Sequence, residues 1–385
     1  MRSLNFFFSL YQFRKLPEIY KEIRYKGFDF TIFKNSSPEY ILNDTKLFVV
    51  KDVPDYIEIF ESELPTDFNK LIIKRYPGFL IDFGNSVSLN DYLKSRFGKN
   101  SIYKLKREQR KLEHCFDVKY RMYFGEIKFE EYTRIFDALY NLLEFRSEEK
   151  GIDNNVNFKE RDLIQRITFP MIMEKKASLF VIFNGEKPID ICLNFHLENL
   201  IYQHIRTYDI AYSKFNTGYT DLIKQIEWCI ENKILAIVFS KGDFYWKRRW
   251  CNVVYNYHHH IYYEKRSLIN KIIAYRYKLL NYLYQFSKEV GIVKHFHQFR
   301  NNRIKLKSSQ EEPKIEICNY NKGDEFANWI LIDYDKSDVF VRRTINNFLY
   351  ETNQQQSAIK VLKPSKDEEV FFVKGEVDSI LFKMT

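Results

Sequence analysis

Two short stretches of this 385-residue chain hold side chains suited to group transfer. The first runs Tyr208-Asp209, then Tyr212-Ser213-Lys214-Phe215-Asn216-Thr217-Gly218, where a strand-like segment gives way to a helical one. The first amides of a helix have no partner inside it, and a glycine where the chain closes lets an anion approach them. Ser213, Asn216, Thr217 and Gly218 therefore fit a diphosphate cradle, with Thr217 capping the helix or touching phosphate. The same residues also fit an ordinary helix start. The second stretch, Phe239-Ser240-Lys241-Gly242-Asp243-Phe244-Tyr245-Trp246-Lys247-Arg248-Arg249-Trp250, gathers a carboxylate, a phenol and several cations. Its plainest reading makes Asp243 a turn or N-cap residue and Lys247 to Arg249 a solvated face.

Other candidate groups carry less. His258, His259 and His260 are adjacent on a strand, so their side chains alternate between faces and no carboxylate or cysteine stands at ligand spacing. No metal site is expected. Cys229 and Cys251 sit within apolar periodicity, which suits packing rather than nucleophilic attack. His204 lies mid-strand, in parity with Tyr202, Arg206 and Tyr208.

The elements that must position these residues follow from hydrophobic period. Strand candidates at Leu47 to Val50 and Phe79 to Phe83 are separated by Pro54, Pro65 and Pro77-Gly78. A basic helix is expected from Lys94 to Glu113, around Ile102, Leu105 and Leu112. Phe116 to Phe124 alternates as a strand, Phe129 to Glu149 carries a helical stripe, and a second helix spans 158 to 174. Strands follow at Ala177 to Phe183, Pro188 to His196 and Leu200 to Tyr208, the first turn marked by Asn184-Gly185. A helix from Gly218 to Asn232 leads to strand Leu235 to Phe239, and Asn252 to Tyr263 closes the series.

The order β, α, α, β, β, β, α, β, α, β resembles the GNAT acyltransferase fold. Tyr202 to Trp250 is similar to the divergent branch that includes cellulose-biosynthesis acyltransferases and Fem-type peptidoglycan aminoacyl transferases. In place of the usual Arg/Gln-x-x-Gly-x-Gly/Ala signature only Gly218 stands, preceded by Thr217. The resemblance implies an α+β fold with a mainly antiparallel mixed sheet flanked by helices. It implies an acyl thioester, from acetyl-CoA or another acyl-CoA, lying between parting fourth and fifth strands, with direct attack by the acceptor. Tyr208, Asp209 and Asp243 then face the reaction, either aspartate drawing the amine proton and Tyr245 protonating the thiolate. Lys247, Arg248, His204 and Arg206 would contact substrate or cofactor. The acceptor implied is an amino sugar, a nucleotide-linked sugar or another small cell-envelope precursor.

The expected organisation is an N-terminal mixed lobe at 1–102, with the option of a degenerate second GNAT-like lobe, and a GNAT-like domain at 103–266. A basic helical segment at 267–309 and a small acidic β-rich module at 310–385 follow. The module's strands are expected at Trp329 to Asp333, Val339 to Arg342 and Glu369 to Val373. Composition excludes disorder and collagen-like repeats: 28 Tyr, 35 Phe and 4 Trp stand against 12 Gly and 9 Pro. The formal net charge of +10 is local, since Lys241 to Ser309 holds 15 basic and 3 acidic residues. Such a surface attracts phosphate, which keeps two alternatives open: aminoacyl transfer from charged tRNA, and a non-catalytic module binding nucleic acid or an anionic membrane. Five scattered cysteines without Cys-x-x-Cys argue against disulfides and zinc, and no run is long enough to span a bilayer. The Leu4 to Leu10 stretch lacks a cleavage site, so a cytoplasmic protein with at most peripheral membrane contact is expected.

Overall fold

In the computed structural model, residues 2–27, 31–34, 46–62, 66–84, 86–150, 160–291, 313–320, 329–365 and 369–385 are described. Strict alternation of buried apolar residues builds its central sheet. Leu80, Leu200, Ala236 and Val238 belong to one packed cluster, whereas Phe79, Ile81, Ile201, Ile237 and Phe239 belong to another on the opposite face. The period-2 pattern thus produces a sheet buried on both sides.

From one edge inward, β7 (Val118–Tyr123), β8 (Ala177–Asn184), β9 (Lys187–Leu197) and β10 (Leu200–Tyr208) form an antiparallel meander. Gly185, with φ of 59°, makes the turn that Asn-Gly predicted. Helices α3 (Phe129–Lys150) and α4 (Arg161–Met173) cover one face; α5 (Thr217–Glu231), with α1 (Leu89–Arg96) and α2 (Lys99–Cys115), covers the other. The helix α5 returns the chain to β11 (Ala236–Phe239), parallel to β10. This is the mixed α+β arrangement expected.

Beyond β11 the sheet continues with strands from both ends of the domain. It runs through β6 (Phe68–Asp82), β12 (Val253–Glu264), β4 (Leu47–Pro54) and β1 (Arg2–Asn5), giving nine strands, all antiparallel neighbours except β1–β4 and β10–β11. Strands of the first 100 residues therefore extend the sheet that carries the site. The remaining N-terminal strands, β2 (Tyr20–Tyr25), β3 (Thr31–Lys34) and β5 (Ile57–Glu61), form a three-stranded sheet. Pro77 in β6 is tolerated because β11 begins its pairing only at Phe79, leaving that flank of β6 open.

Among the described residues the acidic module holds five strands, β13 (Ile315–Cys318), β14 (Trp329–Leu331), β15 (Lys360–Pro364), β16 (Val370–Lys374) and β17 (Ser379–Met384). Val339 to Arg342, expected as a strand, instead begins helix α8 (Val339–Thr352). The side chain of Asp338 accepts from the Phe340 amide at 2.7 Å, and Val341, Ile345, Phe348 and Leu349 are buried at helical spacing. The short window Val-Phe-Val imitates a strand only when the residues after it are ignored.

Helix α6 (Tyr245–Trp250) is a short turn-and-a-half, whereas α7 (Leu268–Glu289) is the basic helix expected. Of its apolar positions, Tyr277 packs against the sheet, whereas Ile269, Ile272, Ile273, Leu280 and Tyr284 are exposed. The expected basic stretch from 292 to Lys307 lies outside the described residues.

Candidate active site

The strands β10 and β11 pair only from Leu200 to Gln203 against Ala236 to Phe239. A bulge in β10 between Gln203 and Ile205, with His204 as the extra residue, bends it away from its neighbour. Chain parity changes there. Tyr202 packs against Phe7 and Tyr11 on one face, while Arg206 reaches Asp221 of α5 on the other, so the shared face expected for Tyr202, His204 and Arg206 is broken. After Phe239 the partner strand turns off at Gly242, whose φ of 111° favours glycine. The second half of β10 is left unpaired by β11.

On the α5 side of this parting lies a cleft of about 530 Å³, lined by Arg146, Arg206, Tyr208, Asn216, Gly218 and Trp246, among others. Asn216, left-handed at φ 53°, ends a 3-10 turn (Ile210–Phe215) and starts α5. The buried Thr217 hydroxyl has no hydrogen-bond partner among the described residues. A Cβ added to Gly218 would stand 3.5 Å from Arg206 Nη2 and 3.8 Å from the Tyr208 ring, so anything larger would project into the cleft.

Arg206 is fixed in place. Its Nε donates to Asp221 Oδ2 at 2.5 Å, its Nη2 to the Gly218 carbonyl, and its guanidinium lies 5.4 Å from the Trp246 ring centroid. Asp221 Oδ1 accepts from Gln225, and Gln225 Oε1 accepts from Asn194 at 2.9 Å, carrying the network across the sheet. Asp190 is buried beside this pair, and neither of its oxygens finds a partner among the described residues. Burial, then the Asp221 charge, push its carboxyl well above the usual range, with Arg206 opposing. Asp221, pushed up by burial but opposed by its bond to Arg206, is the better candidate for the ionised member. On the opposite wall, Arg146 donates to the Tyr208 hydroxyl at 3.0 Å and to Glu149 at 2.7 Å.

On the other side of β10 lies a smaller cavity of about 80 Å³, whose lining includes Tyr202, His204, Ser240, Lys241, Asp52 and Tyr76. Asp52, buried and left-handed at φ 60°, accepts from Asn5 Nδ2 at 2.8 Å and from the Tyr76 hydroxyl. His259 Nε2 lies 3.5 Å and Lys241 Nζ 3.6 Å from its oxygens. Burial alone would raise its pKa, but His259, Lys241 and Tyr76 together outweigh that and hold it well below the usual carboxylate range. Burial also lowers the His204 pKa to about 4, so this imidazole is neutral at pH 7.

The expected site residues divide accordingly. Tyr208, Arg206, Ser213, Asn216 and Gly218 line the cleft, and His204 lines the smaller cavity. Asp209 faces away: it caps the 3-10 turn through the Ala211 amide at 3.0 Å and pairs with Arg342 of α8 at 2.7 Å. Asp243 forks onto Arg248, with Nε at 2.6 Å, and Tyr245 is 77% exposed. Lys247 is buried, donating to the carbonyls of Ser240 at 2.5 Å and Lys241 at 3.2 Å, and burial lowers its pKa to about 8. The three adjacent histidines part company, His259 to Asp52 and Tyr277, His260 to Tyr20 at 2.7 Å, and His258 to neither. Asp52, Tyr76, Arg146, Asp190 and Asp221 escaped the sequence reading. Only Asp221 had a local signal, one helical turn beyond Thr217 and facing the same way.

Residues 99–248 match the family model described as the acetyltransferase (GNAT) domain. That span contains β7 to β11 and the loop and helix that bound the cleft. Similar solved structures include a conserved protein of unknown function from Bacteroides thetaiotaomicron, at 12% identity over 57% of this chain and 70% of that one, TM-score 0.38. L-PGS from Bacillus licheniformis is 14% identical over 60% of this chain and 72% of that one, TM-score 0.33. A GNAT-family acetyltransferase from Staphylococcus aureus is 12% identical over 39% of this chain and 99% of that one, TM-score 0.26. No curated protein matches the chain. The family-model match and the architecture agree on a GNAT-type fold for this segment and support acyl transfer as its general chemistry.

Proposed function

We propose that this protein transfers an acyl group from an acyl-CoA directly to a small amine or hydroxyl acceptor, such as an amino sugar or a cell-envelope precursor. The observation that carries the reading is the parting of β10 and β11, with a helix-capped cleft on one side and a carboxylate-bearing cavity on the other.

The residues of the cleft fit a diphosphate. The leading amides of α5, the unpartnered Thr217 hydroxyl, the bare Cα of Gly218 and the side chains of Ser213 and Asn216 would hold it. The bound donor supplies a thioester carbonyl. The chain positions everything else: the unpaired edge of β10 offers backbone groups to an extended ligand, and Arg206 and Arg146, already held by Asp221 and Glu149, keep the walls rigid. On the acceptor side, the strongly acidic Asp52 is suited to holding a cationic or hydroxylated acceptor rather than to keeping a proton. His204, neutral at pH 7 and held so by burial, lines the acceptor side as a hydrogen-bonding group rather than as a proton store; the proton shed as the acceptor nitrogen bonds to the acyl carbon passes to solvent, and the thiolate released as the carbon–sulfur bond breaks takes a proton from solvent.

Thiol release from acetyl-CoA in the presence of an acceptor panel of hexosamines and nucleotide-linked sugars tests this. Transfer that falls at least tenfold in Asp52→Asn, chiefly through KM, agrees with an acceptor-holding role. Transfer that is absent with every CoA ester but present with charged tRNA would replace the donor.

A further inference from the structure

We propose that α7 is a docking element for an anionic lipid bilayer surface. A helix lying on a protein core ordinarily turns its apolar stripe inward. This one does the reverse. The side chains it turns toward the sheet are Asn270, Ala274, Tyr277 and Asn281, of which Ala274 alone is fully buried. Its inner contact is small: Ala274 and Tyr277 join an apolar cluster with Val49, Ile73 and Ile261, and polar anchors flank it, since Tyr277 O–H and His259 Nδ1 lie 2.8 Å apart and Arg75 donates to Asn281 Oδ1.

The outward surface carries the apolar load. Leu268, Ile269, Ile272, Leu279, Tyr282 and Phe286 are each more than half exposed, Leu268 at 73%. At about 100° per residue the exposed apolar positions sweep an arc of roughly 200°. That is far wider than the narrow seam of a two-helix coiled coil, and it suits immersion in an acyl-chain boundary. Charge selects the surface. From Lys265 to Val290 the chain holds six basic residues and one acidic residue, Glu289. Lys271 and Lys278 stand together on one edge of the arc, where cations meet anionic headgroups while the apolar residues enter below them. No helix among the described residues is long and apolar enough to cross a membrane, so α7 lies on the surface. Through Tyr277, His259 and Asp52 the same helix backs the smaller cavity, so a docked bilayer would lie about one helix diameter, roughly 10 Å, from that wall.

The test is co-sedimentation of the full chain, freed of nucleic acid, with vesicles of phosphatidylcholine alone or with 30 mol-% phosphatidylglycerol, as about a third of lipid suffices to charge the surface. Binding should require the anionic lipid, weaken with salt, fall roughly thirtyfold in Lys271→Ala/Lys278→Ala and fall at least about tenfold in Leu279→Glu/Leu283→Glu. These side chains are exposed, so both variants should keep the wild-type melting temperature. A Tyr282→Trp variant gives an independent readout, its emission shifting to the blue on anionic vesicles only. Absence of that shift together with absence of binding overturns the proposal. So does a light-scattering dimer that Leu279→Glu/Leu283→Glu dissociates while vesicles are ignored, which would make a second copy the occupant. Equal retention of RNA by wild type and Leu279→Glu/Leu283→Glu, with no vesicle binding, would overturn it in favour of a nucleic acid.

Discussion

Replacing Arg342 by Met should destabilise the protein by about 3–5 kcal/mol and loosen the cleft, whose wall residue Tyr208 is next in sequence to its partner Asp209. Arg342 and Asp209 are 12% and 4% exposed at the side chain, and their N–O separation is 2.7 Å. The substitution keeps most of the stem's volume but strands a buried carboxylate whose other bond is to the Ala211 amide. Removing one member of a buried pair is costly because the remaining charge is neither solvated nor compensated. Asp209→Asn alone should cost less, since an amide oxygen still accepts from Ala211 and Arg342 Nε keeps its bond to the Ser337 carbonyl at 3.3 Å. Combining Asp209→Asn with Arg342→Met should recover at least about 1–2 kcal/mol relative to the sum, the sign of a direct interaction. The assay is urea unfolding of the four proteins, with acetyl-CoA affinity measured alongside. Affinity should fall with stability, because α8 also holds the 3-10 turn through Asn346 Nδ2 and the Ala211 carbonyl at 3.0 Å, and that turn leads into Asn216. A loss under 1 kcal/mol, or strict additivity, would refute the idea that the C-terminal module buttresses the cleft.

Three further outcomes follow from the same geometry. Gly218→Ala should bind donor within about threefold of wild type and melt no lower, since its Cβ meets only ordinary contacts at 3.5 and 3.8 Å; a large loss in calorimetry would show that the cleft is tighter than its walls suggest. Asp52 has a depressed folded pKa, so the stability it contributes is complete above the ordinary carboxylate range of about 4 and fades as pH falls below it; the stability gap between wild type and Asp52→Asn should therefore shrink below about pH 4, and a gap that grows there would contradict the assignment. His196, buried with Nε2 2.8 Å from Ser178 Oγ, has its pKa lowered to about 3 by burial and then by Arg14, so the unfolded chain binds a proton that the folded one refuses between about pH 6.5 and 3; wild-type stability should fall with pH across that window and His196→Gln should flatten the slope.

Period and turn chemistry carried most of the fold. Alternation through Phe116 to Tyr208, the Asn184-Gly185 turn and the helical stripe of α3 are local signals, and local signals survive folding. The failures share a cause in distance along the chain. Val339 to Arg342 reads as a strand until Asp338 is recognised as a cap and Ile345 and Leu349 are counted with it. The outward face of α7 cannot be known from its period, which is the same whichever side meets the sheet. At the site, residues beside the Gly218 loop were found because the loop itself marks them. Asp52 and Tyr76 were not, because β4 and β6 reach the parting strands from more than a hundred residues away, and a single bulge at His204 moved Arg206 onto the other face. Asp209 and Asp243 carry charge in the right neighbourhood, yet Arg342 and Arg248 already engage them.

Under the proposed function, the cleft at the start of α5 holds an acyl-CoA. Calorimetric titration of nucleic-acid-free protein with acetyl-CoA, repeated on Gly218→Trp, tests it most directly. The indole would occupy the mouth of a cleft of about 530 Å³ and displace a diphosphate from the leading amides. Saturable binding by wild type, weakened by at least about a hundredfold in the variant while its melting temperature holds, is the expected result. Equal binding by both proteins, or no binding of any CoA ester by wild type, would contradict it.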